Sequence, residues 1–225
     1  MENGLEYSEK LHEKLCIYYE FLIEYNKKVN LTAITECEEV WVKHFLDSIL
    51  LSKYAKIPEK ASLIDVGTGA GFPGIPIAIT TERKTLLADS VGKKITALNR
   101  MITKLSLEGI VSTFQGRIED LAKDQPENFS VITARALSSL SSLLELASPL
   151  LKMNGHLICY KSQDIDDELM HAKTVCNKFS MKFIEVQNFT LSDGVTHRSI
   201  VVFEKTSKPS ISLPRRVGMA QKKPF

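Results

Sequence analysis

The chain has 225 residues, 44% of them hydrophobic and 25% charged, which is enough to bury the core of one full domain with a small appendage. Its formal net charge of +2 does not by itself indicate a partner, and the lack of any run of about 18 apolar residues excludes a membrane-spanning helix. The four cysteines form no CxxC pair, and the acidic start MENGLEYSEKLHEKL is unlike a signal peptide, so we expect a cytoplasmic protein without a disulfide or zinc framework.

The charges are unevenly distributed along the chain. Residues 1–60 contain 8 Lys and Arg against 11 Asp and Glu, whereas residues 206–225 contain 5 Lys and Arg and no acid. A basic tail on a nearly neutral protein indicates a polyanionic partner, although a solvated C-terminus would have the same composition.

The first predicted elements are helices that extend to about residue 58. Apolar residues recur at spacings of three and four in two stretches. Between these stretches, Asn30 or Thr32 can end one helix or cap the next. The first stretch contains Leu11, Leu15, Tyr18, Tyr19 and Leu22, and the second contains Val40, Phe45, Ile49 and Leu50.

From residue 61 onwards, short β-rich runs alternate with helical ones. Strands are predicted over 61–66, 84–89, 111–115, 129–135 and 156–161, and helices over 75–80, 93–105, 117–122, 137–151 and 164–178. Such alternation predicts a mostly parallel sheet with helices on both faces. Two final strands, over 181–191 and 198–205, flank an Asp-Gly turn, so the last strand is expected to be antiparallel. We therefore predict a helical N-terminal cap (1–60), an α/β domain (61–205) and a basic tail (206–225).

A glycine-rich loop follows the first predicted strand, in the stretch LIDVGTGAGFPGIP. Gly67, Gly69 and Gly71 occupy alternate positions directly after the strand. Ligands of doubly wound sheets bind beyond the carboxyl ends of the strands, and glycine allows a ligand to touch the backbone. A tight strand-to-helix turn would need only one glycine, so the pattern favours a ligand site.

The neighbouring residues indicate which ligand binds there. Phe72 stands where the dinucleotide fingerprint GxGxxG requires its third glycine, and no Gly-Lys-Ser/Thr follows, which argues against a P-loop. Asp89 ends the second strand, where a carboxylate accepts hydrogen bonds from ribose hydroxyls. A nucleoside without a pyrophosphate fits both observations, and we predict S-adenosylmethionine, with Asp65 orienting its ammonium group.

The chain resembles a class I S-adenosylmethionine-dependent methyltransferase, with a Rossmann-like, seven-stranded, mostly parallel sheet and an antiparallel last strand. More closely, it is similar to the RsmG (GidB) family of bacterial 16S ribosomal RNA methyltransferases. The similar stretches are YNKKVNLTAI, HFLDS, DVGTGAGFPGIPIAI, DSVGKKITALN, GRIED, ITARA and RRVGMAQKKPF. The resemblance implies methylation of N7 of a guanine in 16S rRNA, with the rRNA or a precursor of the 30S subunit as partner. We expect a monomer.

The resemblance also implies site residues. Besides Asp65, Gly67, Gly69 and Gly71, the expected cofactor contacts are Phe72, Asp89, Ser90, Ile118, Glu119 and Arg135. The expected RNA contacts are Arg135, Lys161 and the tail cations Arg215, Arg216, Lys222 and Lys223. The sequence allows two interpretations of Arg135. Its side chain can bind a ligand group, either a phosphate or the cofactor's carboxylate, or it can form a structural ion pair with an acid such as Glu145.

Transfer to guanine N7 requires no catalytic side chain. N7 has a free lone pair at neutral pH, so positioning supplies much of the acceleration. The segment Thr133–Ala136 lacks the (Asn/Asp)-Pro-Pro-aromatic motif of exocyclic-amine enzymes, and Cys159 lies inside a predicted strand instead of at its end. The histidines show no metal-ligand spacing, so we predict no metal.

Three alternatives remain at this stage. A nicotinamide oxidoreductase would bind NADH, but Phe72 and the closing hairpin argue against it. A non-catalytic RNA-binding protein would not need the Asp65, glycine-loop and Asp89 set. A methyltransferase of small molecules would not need a basic tail.

Overall fold

A computed structural model describes residues 8–50, 61–162 and 164–225 of the chain. Its centre is a seven-stranded sheet with the strand order β3-β2-β1-β4-β5-β7-β6. β1 to β5 pair in parallel, whereas β7 lies antiparallel between β5 and β6. The predicted α/β fold with an antiparallel last strand is confirmed. The strands are β1 (Leu63–Val66), β2 (Thr85–Asp89), β3 (Val111–Gln115), β4 (Phe129–Arg135), β5 (Leu151–Lys161), β6 (Met181–Thr190) and β7 (His197–Lys205).

Helices cover both faces of this sheet, and further helices precede it in the N-terminal part of the chain. They are α1 (Glu9–Val29), α2 (Cys37–Val40), a π-helical segment (Trp41–Leu46), α3 (Asp47–Ile49), α4 (Gly74–Thr81), α5 (Gly92–Lys104), α6 (Ile118–Asp124), α7 (Leu140–Ala147), α8 (Asp166–Val175), a 3₁₀ turn (Cys176–Phe179) and α9 (Met219–Lys222). Ser8 caps the start of α1 by accepting from the Leu11 amide, and Asn30 ends it in a left-handed conformation. Predictions for residues 51–60 lie outside the described residues.

The largest difference between predicted and observed boundaries after residue 61 is at the start of β5. The helix expected over 137–151 ends at Ala147, and β5 begins at Leu151, five residues before the predicted start at His156. Pro149 contributes to the early end, because proline has no amide hydrogen with which to continue the helical hydrogen bonds beyond Ser148. Leu150 and Leu151 are buried, as they would be at the end of a longer helix, so hydrophobicity alone does not distinguish a helix from a strand at these positions.

Helix α1 packs on the glycine loop. Its Tyr18 is fully buried, and the Tyr18 hydroxyl donates to the Ala70 carbonyl oxygen at 2.7 Å. The same side of the sheet buries Leu22, Phe45 and Ile75 in one cluster. The N-terminal helices therefore support the loop from behind. Within the described part of the chain, no helix is both long enough and apolar enough to cross a membrane.

Candidate cofactor pocket

The loop after β1 is held by Asp65. Its Oδ2 accepts from the Thr68 hydroxyl at 2.6 Å and the Gly74 amide at 3.0 Å, and its Oδ1 accepts from the Thr133 hydroxyl at 2.9 Å. The residue is 0% exposed. This corrects the expectation that Asp65 orients the ammonium group of the ligand, because its carboxylate is buried and fixes both ends of the loop instead.

The loop glycines lack side chains for different reasons. A Cβ on Gly67 would lie 2.5 Å from Leu137 Cδ1, and one on Gly71 would lie 2.6 Å from Ile75 Cδ1 and 2.7 Å from the Tyr18 hydroxyl. Gly69 has a φ of +60°, but within the described part of the chain its Cβ would meet nothing closer than the Gly67 oxygen at 3.9 Å. Packing of the chain on itself therefore accounts for Gly67 and Gly71, and only Gly69 leaves open space.

Asp89 connects the end of β2 to this loop. Its Oδ2 accepts from the Gly69 amide at 3.0 Å, and its Oδ1 accepts from the Val91 amide at 2.9 Å. Each carboxylate oxygen retains capacity for a further hydrogen bond. The side chain borders a cavity at the carboxyl ends of β1 and β2, where the fold is expected to bind ligands.

This cavity has a volume of about 280 Å³, close to the lower end of the range of roughly 300–1,000 Å³ for small-molecule sites. Its wall combines carboxylates, cations and apolar side chains from six separate segments. It is lined by Gly67, Ala88, Asp89, Ser90, Lys94, Gly116, Arg117, Ile118, Glu119, Ala136, Leu137, Leu146 and Gln221.

Five predicted cofactor contacts meet at this wall: Gly67, Asp89, Ser90, Ile118 and Glu119. They come from the ends of β1 and β2 and the start of α6, which the sheet topology brings together. Carboxylates on two sides can accept from the hydroxyl and amino groups of a nucleoside, and the leucines offer apolar contact to its base.

Sequence reasoning did not assign Lys94, Arg117 or Gln221 to this wall. Lys94 and Arg117 lie within the motifs DSVGKK and GRIED, close in sequence to predicted contacts, so a signal was available. Gln221 had no such signal, because it lies more than 100 positions after Glu119 and reaches the cavity through the path of the tail.

Phe72 is not a wall of this cavity. It is only 4% exposed and lies stacked between Tyr18, at 5.0 Å between ring centroids, and His44, at 4.5 Å. The expected contact of Phe72 with the cofactor therefore has no counterpart in the cavity, because the ring fills the aromatic core under the loop.

Burial, and secondarily the nearby Arg135 charge, lowers the pKa of His44 to about 3, so its imidazole is neutral there.

Arg135, at the end of β4, points toward the N-terminal helices. Its guanidinium donates to Asp47 Oδ2 at 3.3 Å and to the Lys43 carbonyl at 3.2 Å. Arg198 Nε donates to the same Asp47 oxygen at 3.1 Å. The acid partner of Arg135 is thus Asp47 and not Glu145, and its guanidinium does not line the cavity.

The predicted RNA contacts divide into engaged and exposed cations. Lys161 donates to Glu168 at 2.6 Å and to the Ser138 carbonyl at 2.8 Å. Arg215 forms two hydrogen bonds with Glu145, at 2.6 and 2.5 Å. Arg216, Lys222 and Lys223 are exposed. Lys161 and Arg215 therefore have partners within the chain, whereas the side chains of Arg216, Lys222 and Lys223 face solvent.

The sheet order and the position of the cavity define the class to which the chain belongs, the class I methyltransferase fold. A solved structure of that fold is geranyl diphosphate C-methyltransferase from Streptomyces coelicolor, in complex with Mg²⁺, geranyl diphosphate and S-adenosyl-L-homocysteine. It superposes with a TM-score of 0.56 at 10% identity over 72% of this chain and 78% of that one. At this identity the likeness concerns the fold alone.

Residues 11–213 match the sequence model of the GidB family, described as rRNA small subunit methyltransferase G. The chain belongs to this family, so the resemblance seen in its motifs is confirmed. Ribosomal RNA small subunit methyltransferase G of Oceanobacillus iheyensis is 38% identical over 100% of this chain and 95% of its own length. The protein of the same name from Clostridium botulinum is 39% identical over 99% and 94%. This membership does not support the oxidoreductase alternative.

Replacing Asp65 by Asn should change how stability depends on pH. Burial raises the pKa of Asp65 from 3.8 to about 6, so between these pH values the folded chain holds a proton that the unfolded chain has lost. The contribution of this carboxyl to stability therefore falls as the pH rises through that window. Because Asn stays neutral, the variant should gain free energy of unfolding relative to wild type from about pH 4 to about pH 6 and then level off. Urea unfolding of both proteins would measure the difference, and one that stays constant from pH 4 to 7 would contradict the raised pKa.

Proposed function

We propose that this chain transfers the methyl group of S-adenosylmethionine to N7 of a guanine in 16S rRNA. The observation that carries the proposal is the meeting of Gly67, Asp89, Ser90, Ile118 and Glu119 at one cavity. Family membership over residues 11–213 supports the rRNA substrate. We also propose that the chain acts as a cytoplasmic monomer on 16S rRNA or a precursor of the 30S subunit.

The cavity offers a partner for each part of the nucleoside. Asp89 accepts from the ribose hydroxyls, because it retains acceptor capacity beside the Gly69 and Val91 amides. The Ile118 amide and the Glu119 carboxylate hold the adenine edge, and Leu137 covers the base. The methionine part extends along the loop toward Gly69, where a Cβ would meet open space. When bound, the cofactor supplies an electrophilic methyl group on its sulfonium.

The described residues near the cavity favour transfer to a lone pair over transfer to carbon. Cys159 is the cysteine nearest the end of β5, and it is 0% exposed. Burial raises the pKa of its thiol to about 12, so it does not supply the thiolate that a pyrimidine carbon-5 methyltransferase needs. Guanine N7 needs no such nucleophile and no general base. Bringing N7 in line with the methyl group is then the main task of the chain.

Calorimetry on the purified wild-type chain tests the cofactor part of this proposal. Titration with S-adenosylmethionine should show one site per chain, and titration with NADH should show none. Binding of NADH without binding of S-adenosylmethionine would refute the proposed function.

The exposed tail cations are the proposed contacts to RNA phosphates. Replacing Arg216, Lys222 and Lys223 together by Ala should weaken RNA binding and flatten its log–log dependence on salt by roughly 2 to 3, since each phosphate contact contributes about 0.7–0.9. Filter binding of a 16S rRNA fragment at several salt concentrations would measure this slope. The affinity for S-adenosylmethionine serves as the control and should stay unchanged. An unchanged slope would mean that these three cations are solvated and that the RNA surface lies elsewhere.

A further inference from the structure

The C-terminal tail is docked on the molecule by Arg215. Its Nε and one terminal nitrogen donate to the two Glu145 oxygens at 2.6 and 2.5 Å. The Glu145 side chain is only 3% exposed and that of Arg215 24% exposed. Two parallel hydrogen bonds between a guanidinium and a buried carboxylate fix orientation as well as position. The tail therefore leaves this point in a defined direction.

The next residues lead the tail to the cavity wall. The Gly218 amide donates to Glu119 Oε1 at 2.7 Å, and Glu119 itself lines the cavity. The Ser142 hydroxyl donates to the Ala220 carbonyl at 2.7 Å, and Ala220 is 2% exposed. Gln221 follows directly and lines the cavity.

The end of the chain is anchored beyond Gln221. The Phe225 ring lies edge-on to Phe179 at 5.5 Å between centroids, and the Arg215 guanidinium lies 4.3 Å from its centre. The Phe225 backbone oxygen lies 2.7 Å from His171 Nε2. Gln221 is thus held between two fixed points, although its own side chain is exposed.

We propose that the tail forms one wall of the cofactor pocket, with Gln221 contacting the cofactor and with Arg215 and Gly218 acting as positioning residues. This inference rests on the proposed function, because it takes S-adenosylmethionine to be the occupant. Gly218 acts through Glu119, whose carboxylate it orients toward the nucleoside. Since the docked tail completes the site, cofactor binding and tail docking stabilise each other, and the coupling is reciprocal.

The adjacent residues Arg215 and Arg216 provide a matched pair of variants. Arg215→Ala removes both bonds to Glu145, whereas the exposed side chain of Arg216 forms no hydrogen bond or ion pair with the described residues. We expect Arg215→Ala to raise the Kd for S-adenosylmethionine roughly 5- to 150-fold, the usual range for coupled sites. Gln221→Ala should raise it roughly 2- to 10-fold, as expected for one hydrogen bond. Arg216→Ala should leave the Kd for the cofactor within about twofold of wild type.

Different effects on KM and kcat distinguish a positioning role from general damage to the fold. In methyl transfer to 30S subunits, Arg215→Ala and Gln221→Ala should raise KM for S-adenosylmethionine while kcat at saturating cofactor is largely kept. Arg215→Lys keeps the charge without the paired hydrogen bonds, so it should recover part of the affinity. If Arg215→Ala does not fold, Gln221→Ala decides, because its exposed side chain is not needed for the core. Wild-type affinity in Gln221→Ala and in every folded Arg215 variant would overturn the inference.

The reciprocal effect is tested on the wild-type chain. Saturating S-adenosylmethionine should slow tryptic cleavage after Arg216 and Lys222 several-fold, because the docked tail is then stabilised. Cleavage at an unchanged rate would overturn the coupling. The two proposals fail differently: a wild-type chain that does not bind S-adenosylmethionine refutes the proposed function and this inference with it. Normal binding by wild type together with unaffected variants and unchanged cleavage refutes the inference alone.

Discussion

Asp89→Ala should abolish most of the affinity for S-adenosylmethionine. The carboxylate is proposed to accept from the ribose hydroxyls, and each charge-assisted hydrogen bond lost should cost about 1.5–3 kcal/mol, or roughly 10- to 150-fold in Kd. The variant also loses the acceptor for the Gly69 amide, which lies 3.0 Å from Asp89 Oδ2, so the loop loses a tie to β2. Calorimetry with S-adenosylmethionine would measure the change.

Asp120→Ala is the matched control for Asp89→Ala. Asp120 is an acid on the neighbouring helix α6, its side chain is 51% exposed, and it pairs with Lys123 at the surface. Its removal should leave cofactor affinity unchanged, because an exposed pair contributes little and does not face the cavity. Equal losses in both variants, or none in Asp89→Ala, would mean that the Asp89 carboxylate does not hold the cofactor.

Gly69→Val should produce a folded chain that no longer binds S-adenosylmethionine. A Cβ at this position meets no atom of the described residues closer than 3.9 Å, apart from its chain neighbours, so the added side chain would occupy the space into which the methionine part is proposed to extend. The left-handed backbone, with φ of +60°, should cost about 1–2 kcal/mol in stability. That loss is smaller than the usual stability of about 5–15 kcal/mol, so the fold should survive.

Variants at two other glycines distinguish backbone strain and a packing clash from the loss of ligand contact. Gly194 also has a positive φ, +71°, with no atom of the described residues within 4 Å of its Cβ, and it lies in the β6–β7 turn. Gly194→Val should therefore carry the same strain and keep cofactor affinity. Gly71→Ala should destabilise the fold itself, because its Cβ would lie 2.6 Å from Ile75 and 2.7 Å from Tyr18. Thermal unfolding and calorimetry on the three variants would separate these effects, and wild-type affinity in Gly69→Val would contradict the placement of the ligand.

The sequence predicted the sheet well because its signals are local. Each predicted strand overlaps an observed one, and β3 and β4 were predicted to the residue. The Asp-Gly pair between β6 and β7 predicted the antiparallel pairing, since this dipeptide is typical of hairpin turns, and the observed loop spans residues 191–196. The start of β5 was missed because the apolar segment around Pro149 fits either element until tertiary packing decides.

The roles of individual residues were harder to predict, since a residue type does not reveal which way its side chain points. Asp65 lies two positions before Gly67 and looks like a ligand contact, but the three groups that bond to it come from two separate segments, residues 68–74 and β4. Phe72 was assigned to the cofactor, yet Tyr18 and His44 enclose it. Arg215 resembles its neighbour Arg216 in sequence, and only its contacts in the folded chain, above all those with Glu145, distinguish the two.

The central claim is tested most directly by following the methyl group into RNA. Small ribosomal subunits from cells lacking this gene would be incubated with the purified chain and S-adenosylmethionine carrying an isotope-labelled methyl group. The 16S rRNA would then be digested to nucleosides for mass spectrometry. With the wild-type chain the label should appear in 7-methylguanosine, and with Asp89→Ala it should be nearly absent. Label in a different nucleoside, or no label in 16S rRNA with the wild-type chain, would contradict the account.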